Sequence, residues 1–267
     1  MFDILRLGKP LSRVLTKDQK KKLLELLHRS ARWRVQSILY RLAFGTNLRT
    51  LALLYGTDKW GGHWYAQHYE KHFAALRNKP LNVLEIGVGG YDNSKQGGGS
   101  LRMWRTYFPK SRIYGIDIYD KSPHNEKRIK TFKGSQIDEV FLTDVVNEIG
   151  QIDIVIDDGS HMNDHVIATF TFLFPRMAPV GIYVVEDVQT SYWKQFGGTS
   201  STFATPTTIV GFFKHLIDGL NYVDFQLPDY QPNYYDKHIV GMHFYHNMIV
   251  IEKASEIEQP RTSRVTL

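Results

Sequence analysis

Four residues in two short runs carry the chemistry this chain can perform. Asp158 and His161 lie in IDDGSH (156–161), and Glu186 and Asp187 lie in VVEDVQ (184–189). Each run follows a largely apolar stretch, 152–156 and 181–185, of the kind that forms a strand buried on both faces. If the two strands are parallel, both polar sets emerge at the same edge of one sheet. Three carboxylates brought together there repel one another unless a cation neutralises them, and all-oxygen ligation favours a hard ion such as Mg²⁺. Such an ion lowers the pKa of a bound hydroxyl, and a neutral histidine beside it can take the proton. Asp158, Glu186 and Asp187 are therefore the expected metal ligands, and His161 the expected general base. Two plainer readings stay open: a loop histidine with a structural hydrogen bond only, and an acidic pair at a helix start.

A second stretch, 82–100 (NVLEIGVGGYDNSKQGGGS), supplies the expected ligand site. Its apolar start predicts a buried strand, its glycines a turn that a ligand can approach closely, and Ser100 an N-cap for a helix over 101–108. About thirty residues on, a second strand over 112–117 ends in Asp117, a carboxylate placed to accept hydrogen bonds from a ribose diol. The ligand is thus expected to be a nucleoside. The pattern E-x-G-x-G-G-Y (85–91) is more similar to the S-adenosylmethionine site of class I methyltransferases than to a dinucleotide site, although Tyr91 replaces the usual third glycine. On this reading Gly87, Gly89 and Ser100 lie near the methionine moiety, Asp117 at the ribose and Gln136 near the adenine. Glu85 and Asp157, at the ends of the first and fourth strands, complete the expected cofactor contacts. A generic tight strand–helix turn is the plainer alternative.

The elements that must position these groups read as a doubly wound α/β fold. Strands over 83–86, 112–117, 131–136, 152–156 and 181–185 alternate with helices, including 138–147 and 164–174. The tail differs, with apolar runs at 222–226, 239–245 and 248–253, the last pair joined by a tight His246-Asn247 turn into an antiparallel hairpin. The expected fold is a Rossmann-like, mostly parallel sheet with this C-terminal hairpin, preceded by a helical extension. Residues 1–56 carry twelve Lys/Arg against three Asp/Glu, so they hold +9 of a net +6 and leave 57–267 at −3. We accordingly expect a basic extension over 1–56 and a ligand-binding domain over 57–267. The absence of cysteine excludes disulfides and thiolate metal sites. No apolar run approaches the roughly 20 residues that span a bilayer, and the N-terminus lacks a signal-peptide core, so a cytoplasmic protein is expected.

Within the extension, Thr16 and Gln19 form a capping box before an apolar face of Leu23, Leu24, Leu26 and Leu27, beside Lys20, Lys21 and Lys22. A second helix with Val35, Ile38, Leu39 and Leu42 ends near Gly45, and a third covers 47–55. The surface suits a helical cap or dimer contact, hence a homo-oligomer; docking on an anionic membrane surface is the alternative. Nucleic acid is not expected, because no recognition motif accompanies the charge. Next, Asp58 and Lys59 occupy a turn, with His63, ahead of an aromatic helix holding Trp64, Tyr65, Tyr69 and Phe73. Tyr69 and Phe73 read as core, and the polar trio as groups able to close over a ligand.

GTDKWG (56–61), VLEIGVGGY (83–91), GGGSLRMW (97–104), YGIDIYDKS (114–122), IDDGSH (156–161), VVEDVQTSYW (184–193) and HFYHNMIVIEK (243–253) occur in this order. Together they resemble the metal-dependent sugar O-methyltransferases of macrolide tailoring, over roughly residues 50–255. The resemblance implies a class I S-adenosylmethionine-dependent fold, Mg²⁺ held by Asp158, Glu186 and Asp187, and His161 as base. It implies a glycosylated small molecule, an oligosaccharide or a glycolipid as acceptor, with Tyr91, Tyr192 and Trp193 as candidates for stacking on a sugar. Macrolide enzymes carry a larger auxiliary domain that helps form the acceptor pocket; here about fifty basic residues precede the match. Two rival readings remain. A catechol-type O-methyltransferase would methylate a flat phenol and no glycoside. A non-catalytic module would bind S-adenosylmethionine without needing the metal set.

Overall fold

The computed structural model describes Thr16 and residues 40–255. Gln19, the basic and leucine-rich residues 20–27, and Val35, Ile38 and Leu39 of the expected helices lie outside the described residues. The chain divides into two compact units.

The first unit holds the described residues before Asn82, with Val88–Tyr114 and Lys121–Thr131. Helical residues 40–44 end at Gly45, in the left-handed region as expected, and bury Tyr40 and Phe44 against Leu54 and Tyr55. Helix α1 (Leu48–Tyr55) starts at Asn47, whose side chain accepts from the Thr50 amide at 3.0 Å, and stops at left-handed Gly56. Helix α2 (Ala66–Phe73) and helix α3 (Gly99–Tyr107) meet through aromatic rings, Tyr69 on Trp104 at 4.8 Å and Phe73 on Phe108 at 5.6 Å. Tyr69 and Phe73 are core, as their spacing predicts. Trp64 and Tyr65 precede α2 instead of lying within it, because turn bonds such as His63 N to Asp58 O (2.7 Å) hold the chain out of helix until Ala66. Nor is Ser100 an N-cap. Gly97 and Gly98, both at positive φ, swing the chain into α3 earlier, and Ser100 sits in its first turn. A β-carbon on Gly99 would lie 2.7 Å from the Tyr55 carbonyl oxygen, so a residue with a side chain is excluded at the helix start.

The second unit comprises Asn82–Gly87, Gly115–Asp120 and the described residues from Phe132 on. The strands β1 (Asn82–Ile86), β2 (Arg112–Asp117), β3 (Ile129–Lys133), β4 (Ile154–Asp157), β5 (Gly181–Glu186), β6 (Ile239–Tyr245) and β7 (Met248–Lys253) form a seven-stranded sheet in the order β3-β2-β1-β4-β5-β7-β6. β1, β4 and β5 are parallel, with Leu84 opposite Val155 and Val155 opposite Tyr183. Their near-continuous burial is the reason their sequences are mostly apolar, with Glu85, Asp157 and Glu186 the buried carboxylates among them. β7 runs antiparallel between β5 and β6, and the hairpin turns at His246-Asn247 with Asn247 at positive φ. The strand order departs from β1 in two directions, which makes the β1–β4 pair a topological switch point with its crevice at the carboxyl ends.

Helix α4 (Glu139–Ile149) is capped by Asp138, and helix α5 (Asn163–Arg176) follows β4. β3 ends at Lys133, three residues short of the expected bound; Gly134 leaves the strand, and the Phe141 ring fills the space where its β-carbon would be. The run 222–226 is not extended either. It falls at the end of 3₁₀ turns over Asp218–Asp224, and Pro228 and Pro232 beyond it cannot donate to a ladder. Helix α6 (Ile209–His215) and helix α7 (Tyr234–His238) complete the unit; Phe170 stacks edge-on against Tyr183 and Phe213 at 5.0 and 4.8 Å. Buried Lys253 donates to the Phe174 and Met177 carbonyls at 2.7 and 3.0 Å, capping α5 from β7, and its burial lowers the ammonium pKa to about 8. Among the described residues no helix is long and apolar enough to cross a membrane.

Candidate active site

The carboxyl ends of β2, β1 and β4 are tied closely. Asp158 N donates to Ile86 O at 2.9 Å, and Gly87 N donates to Ile116 O at 2.8 Å. Gly87 has φ +90°, and a β-carbon there would stand 2.0 Å from Asp158 O. Only glycine permits this approach. Beyond β4 the chain turns through residues 158–162, with His161 at φ 57°; beyond β5 it turns at Asp187, φ 54°. Left-handed backbone at two non-glycine residues costs free energy and persists only where the surroundings enforce it. Here the two turns bring one ligand atom each from Asp158, His161 and Asp187 within 4.8 Å of one another. His161 Nε2 lies 3.7 Å from Asp187 Oδ2.

Glu186 is buried at the end of β5, opposite Met248, and is not in that trio. Asp187 precedes the 3₁₀ segment Val188–Tyr192, whose start its side chain does not cap. Asp157 is fully buried. It accepts from Gln136 Nε2 (3.3 Å), the Gly159 amide (3.4 Å) and the Tyr183 hydroxyl (3.4 Å), and burial pushes its carboxyl up to about 7 despite these donors. Asp117 accepts from the Tyr119 amide through Oδ1 at 2.9 Å, which folds the end of β2 into an Asx turn. Glu85 is buried within β1. Tyr192 and Trp193 are partly exposed just beyond Asp187. Their segment is held by buried Asn163, whose amide donates to Thr190 O (3.0 Å) and Phe196 O (2.7 Å).

In the first unit, the glycine loop closes on itself: Gly98 N donates to Val88 O at 2.8 Å, and a β-carbon on Gly97 would overlap Gly89 O. Tyr91 projects from it, 85% exposed. Buried Lys121 donates to the carbonyls of Tyr91 (2.6 Å) and Asn93 (3.0 Å), and His124 Nε2 lies 3.0 Å from Gln96 O. Sequence reasoning missed Lys121, His124 and Asn163. A polar residue in an irregular segment reads as solvated, and no periodicity reveals that its partners are backbone carbonyls. Of the trio ahead of α2, Lys59 is buried, and Asp58 and His63 stand 4.0 Å apart.

This sheet order and these strand-end turns are those of a class I S-adenosylmethionine-dependent methyltransferase fold. No protein-family model matches the chain. It is 46% identical over 214 residues to mycinamicin VI 2''-O-methyltransferase of Micromonospora griseorubida, covering 79% of this chain and 54% of that protein. It is 47% identical over 216 residues to demethylmacrocin O-methyltransferase of Streptomyces fradiae, covering 79% and 54%. A solved structure of MycE, a methyltransferase of mycinamycin biosynthesis in complex with Mg and SAH, superposes with a TM-score of 0.78 at 45% identity, over 82% of this chain and 57% of that one. The relation to the sugar O-methyltransferases of macrolide tailoring is thus one of homology, and the chain spans about half the length of the curated relatives it matches.

Proposed function

We propose that the chain is a Mg²⁺- and S-adenosylmethionine-dependent O-methyltransferase that methylates a sugar hydroxyl of a glycosylated natural product, an oligosaccharide or a glycolipid. The observation that carries this reading is the convergence of Asp158, His161 and Asp187 from the ends of adjacent parallel strands. Two carboxylates brought this close suit a hard divalent cation and repel one another without one. Asp158 and Asp187, with Glu186 from the same strand end, would hold Mg²⁺. Bound there, the ion would supply Lewis acidity toward an acceptor hydroxyl, and S-adenosylmethionine would supply the methyl group from its sulfonium. His161 takes the hydroxyl proton at Nε2, the atom that lies 3.7 Å from Asp187 Oδ2. Glu85, the Gly87–Gly89 turn, Ser100 and Asp157 remain the proposed cofactor surroundings, and Asp117 the ribose contact.

The test is a mass-spectrometric screen of glycosides with S-adenosylmethionine, with and without Mg²⁺. Methylation of a glycoside that stops on chelation supports the reading; methylation of a catechol with no glycoside turned over would replace it. In the same preparation, Asp117→Ala is expected to weaken S-adenosylmethionine binding by about 1–3 kcal/mol, the range for a lost partner of a buried polar ligand. Unchanged affinity by calorimetry would remove Asp117 from the site.

The basic extension over 1–56, ahead of the proposed methyltransferase domain over 57–267, is proposed to serve partner contact, either in a homo-oligomer or at an anionic surface of a cytoplasmic enzyme. Tyr40 and Phe44 belong to a buried cluster, so the informative truncation stops at residue 39. That variant is expected to keep S-adenosylmethionine affinity while losing either its oligomeric state or its binding to anionic vesicles at low salt. If neither changes on gel filtration and vesicle sedimentation, the extension has no such role.

A further inference from the structure

We infer that Gln136 is a positioning residue for the turn that carries Asp158 and His161, acting through its side-chain amide on the backbone of Ser160. This rests on the proposed methyltransferase reading for its functional consequence, though not for its geometry. Gln136 lies in the loop after β3 and is buried. Its Oε1 accepts from the Ser160 amide at 2.8 Å. Its Nε2 donates to Thr169 Oγ1 at 3.0 Å and to the Asp157 carboxylate, 3.3 Å from Oδ1 and 3.5 Å from Oδ2. An amide has two N–H donors and one carbonyl oxygen, so both donors and the acceptor are engaged within the protein.

The arrangement has a definite mechanical effect. Asp157 ends β4, Thr169 lies in α5, and Ser160 is the residue before His161. One planar amide therefore links the strand before the turn, the helix after it and the middle of the turn itself. Thr169 Oγ1 stands 3.0 Å from the Gln136 carbonyl and 2.7 Å from the His165 carbonyl, which fixes the brace from the helix side. The fit is tight: a β-carbon on Gly159 would come within 2.3 Å of Gln136 Oε1, so the glycine of IDDGSH is where the amide docks. His161 occupies left-handed backbone immediately after this anchored amide. Without the anchor, that turn is free to relax to a lower-energy conformation and to carry the imidazole away from Asp187.

A brace and a cofactor contact differ in what they change. Gln136→Met keeps side-chain length and removes all three hydrogen bonds. We expect kcat to fall about 10–100-fold, the usual effect of losing a residue that orients catalytic groups, with S-adenosylmethionine affinity within about 3-fold of the parent by calorimetry. Amide hydrogen exchange at residues 160–162 should rise in the same variant, a readout that does not depend on turnover. Thr169→Val, which removes only the helix-side support, should show the same pattern at smaller amplitude and serves if Gln136→Met fails to fold. A large loss of affinity with kcat unchanged would overturn the inference in favour of a direct adenine contact. Unaltered exchange at residues 160–162 would also overturn it. If the parent methylates no acceptor, the methyltransferase reading falls, and the exchange data alone decide whether the brace exists.

Discussion

Replacing His161 with alanine is expected to lower turnover on an accepted glycoside by about 10²–10⁴-fold, the share of a positioned base in a proton-transfer step. The need is chemical: a sugar hydroxyl is almost wholly protonated at neutral pH and is a weak nucleophile in that state. The geometry meets it, because His161 Nε2 stands 3.7 Å from Asp187 Oδ2 at the proposed metal site, where a bound hydroxyl would be most acidic. The variant should keep the fold, since His161 is partly exposed on a turn. S-adenosylmethionine and Mg²⁺ affinities should therefore stay near those of the parent. The decisive measurement is single-turnover methyl transfer with saturating cofactor and metal. Near-parental turnover would show that solvent or another group takes the proton.

Removing either carboxylate of the trio should act on a different quantity. Asp158→Ala and Asp187→Ala are each expected to abolish metal-dependent turnover by on the order of 10²-fold or more, since Lewis-acid stabilisation is worth several kcal/mol and each 1.4 kcal/mol is tenfold. Stability supplies an independent readout. A ligand that binds only the folded state stabilises it by mass action, about 2.7 kcal/mol at a hundred times its Kd. Mg²⁺ should thus raise the melting temperature of the parent and leave that of either variant unmoved. In chelator the order is expected to reverse, because the two carboxylates lie within 4.8 Å of one another and each variant relieves their repulsion. Glu186→Ala tests the third proposed ligand in the same way. Full activity of the parent in EDTA, or an equal Mg²⁺ shift in parent and variants, would remove the metal from the mechanism.

Much of this site was legible in the chain. The largely apolar runs ending at Ile86, Ile156 and Val185 identify buried parallel strands, because a strand covered on both faces carries apolar residues at nearly every position. Once they are parallel, Gly87, Asp158, Glu186 and Asp187 have to emerge at one edge, and Asp158 and His161 are close simply because they are three positions apart. The core role of Tyr69 and Phe73 and the hairpin turn at Asn247 are equally local. Tertiary structure decided the rest. It turned the backbone left-handed at His161 and Asp187, drew their side chains to Asp158, and left Glu186 buried outside that trio. It made Gly98 and not Ser100 the N-cap residue of α3, sent the Asp157 carboxyl into the interior, and buried Lys121 beneath the glycine loop. The bond from Ser160 to Gln136 joins residues 24 apart in the chain. Periodicity reports which face of an element is buried; it carries no information about which polar atom on a distant segment will stand within 3 Å. That is set when strand register and helix packing fix the two segments together.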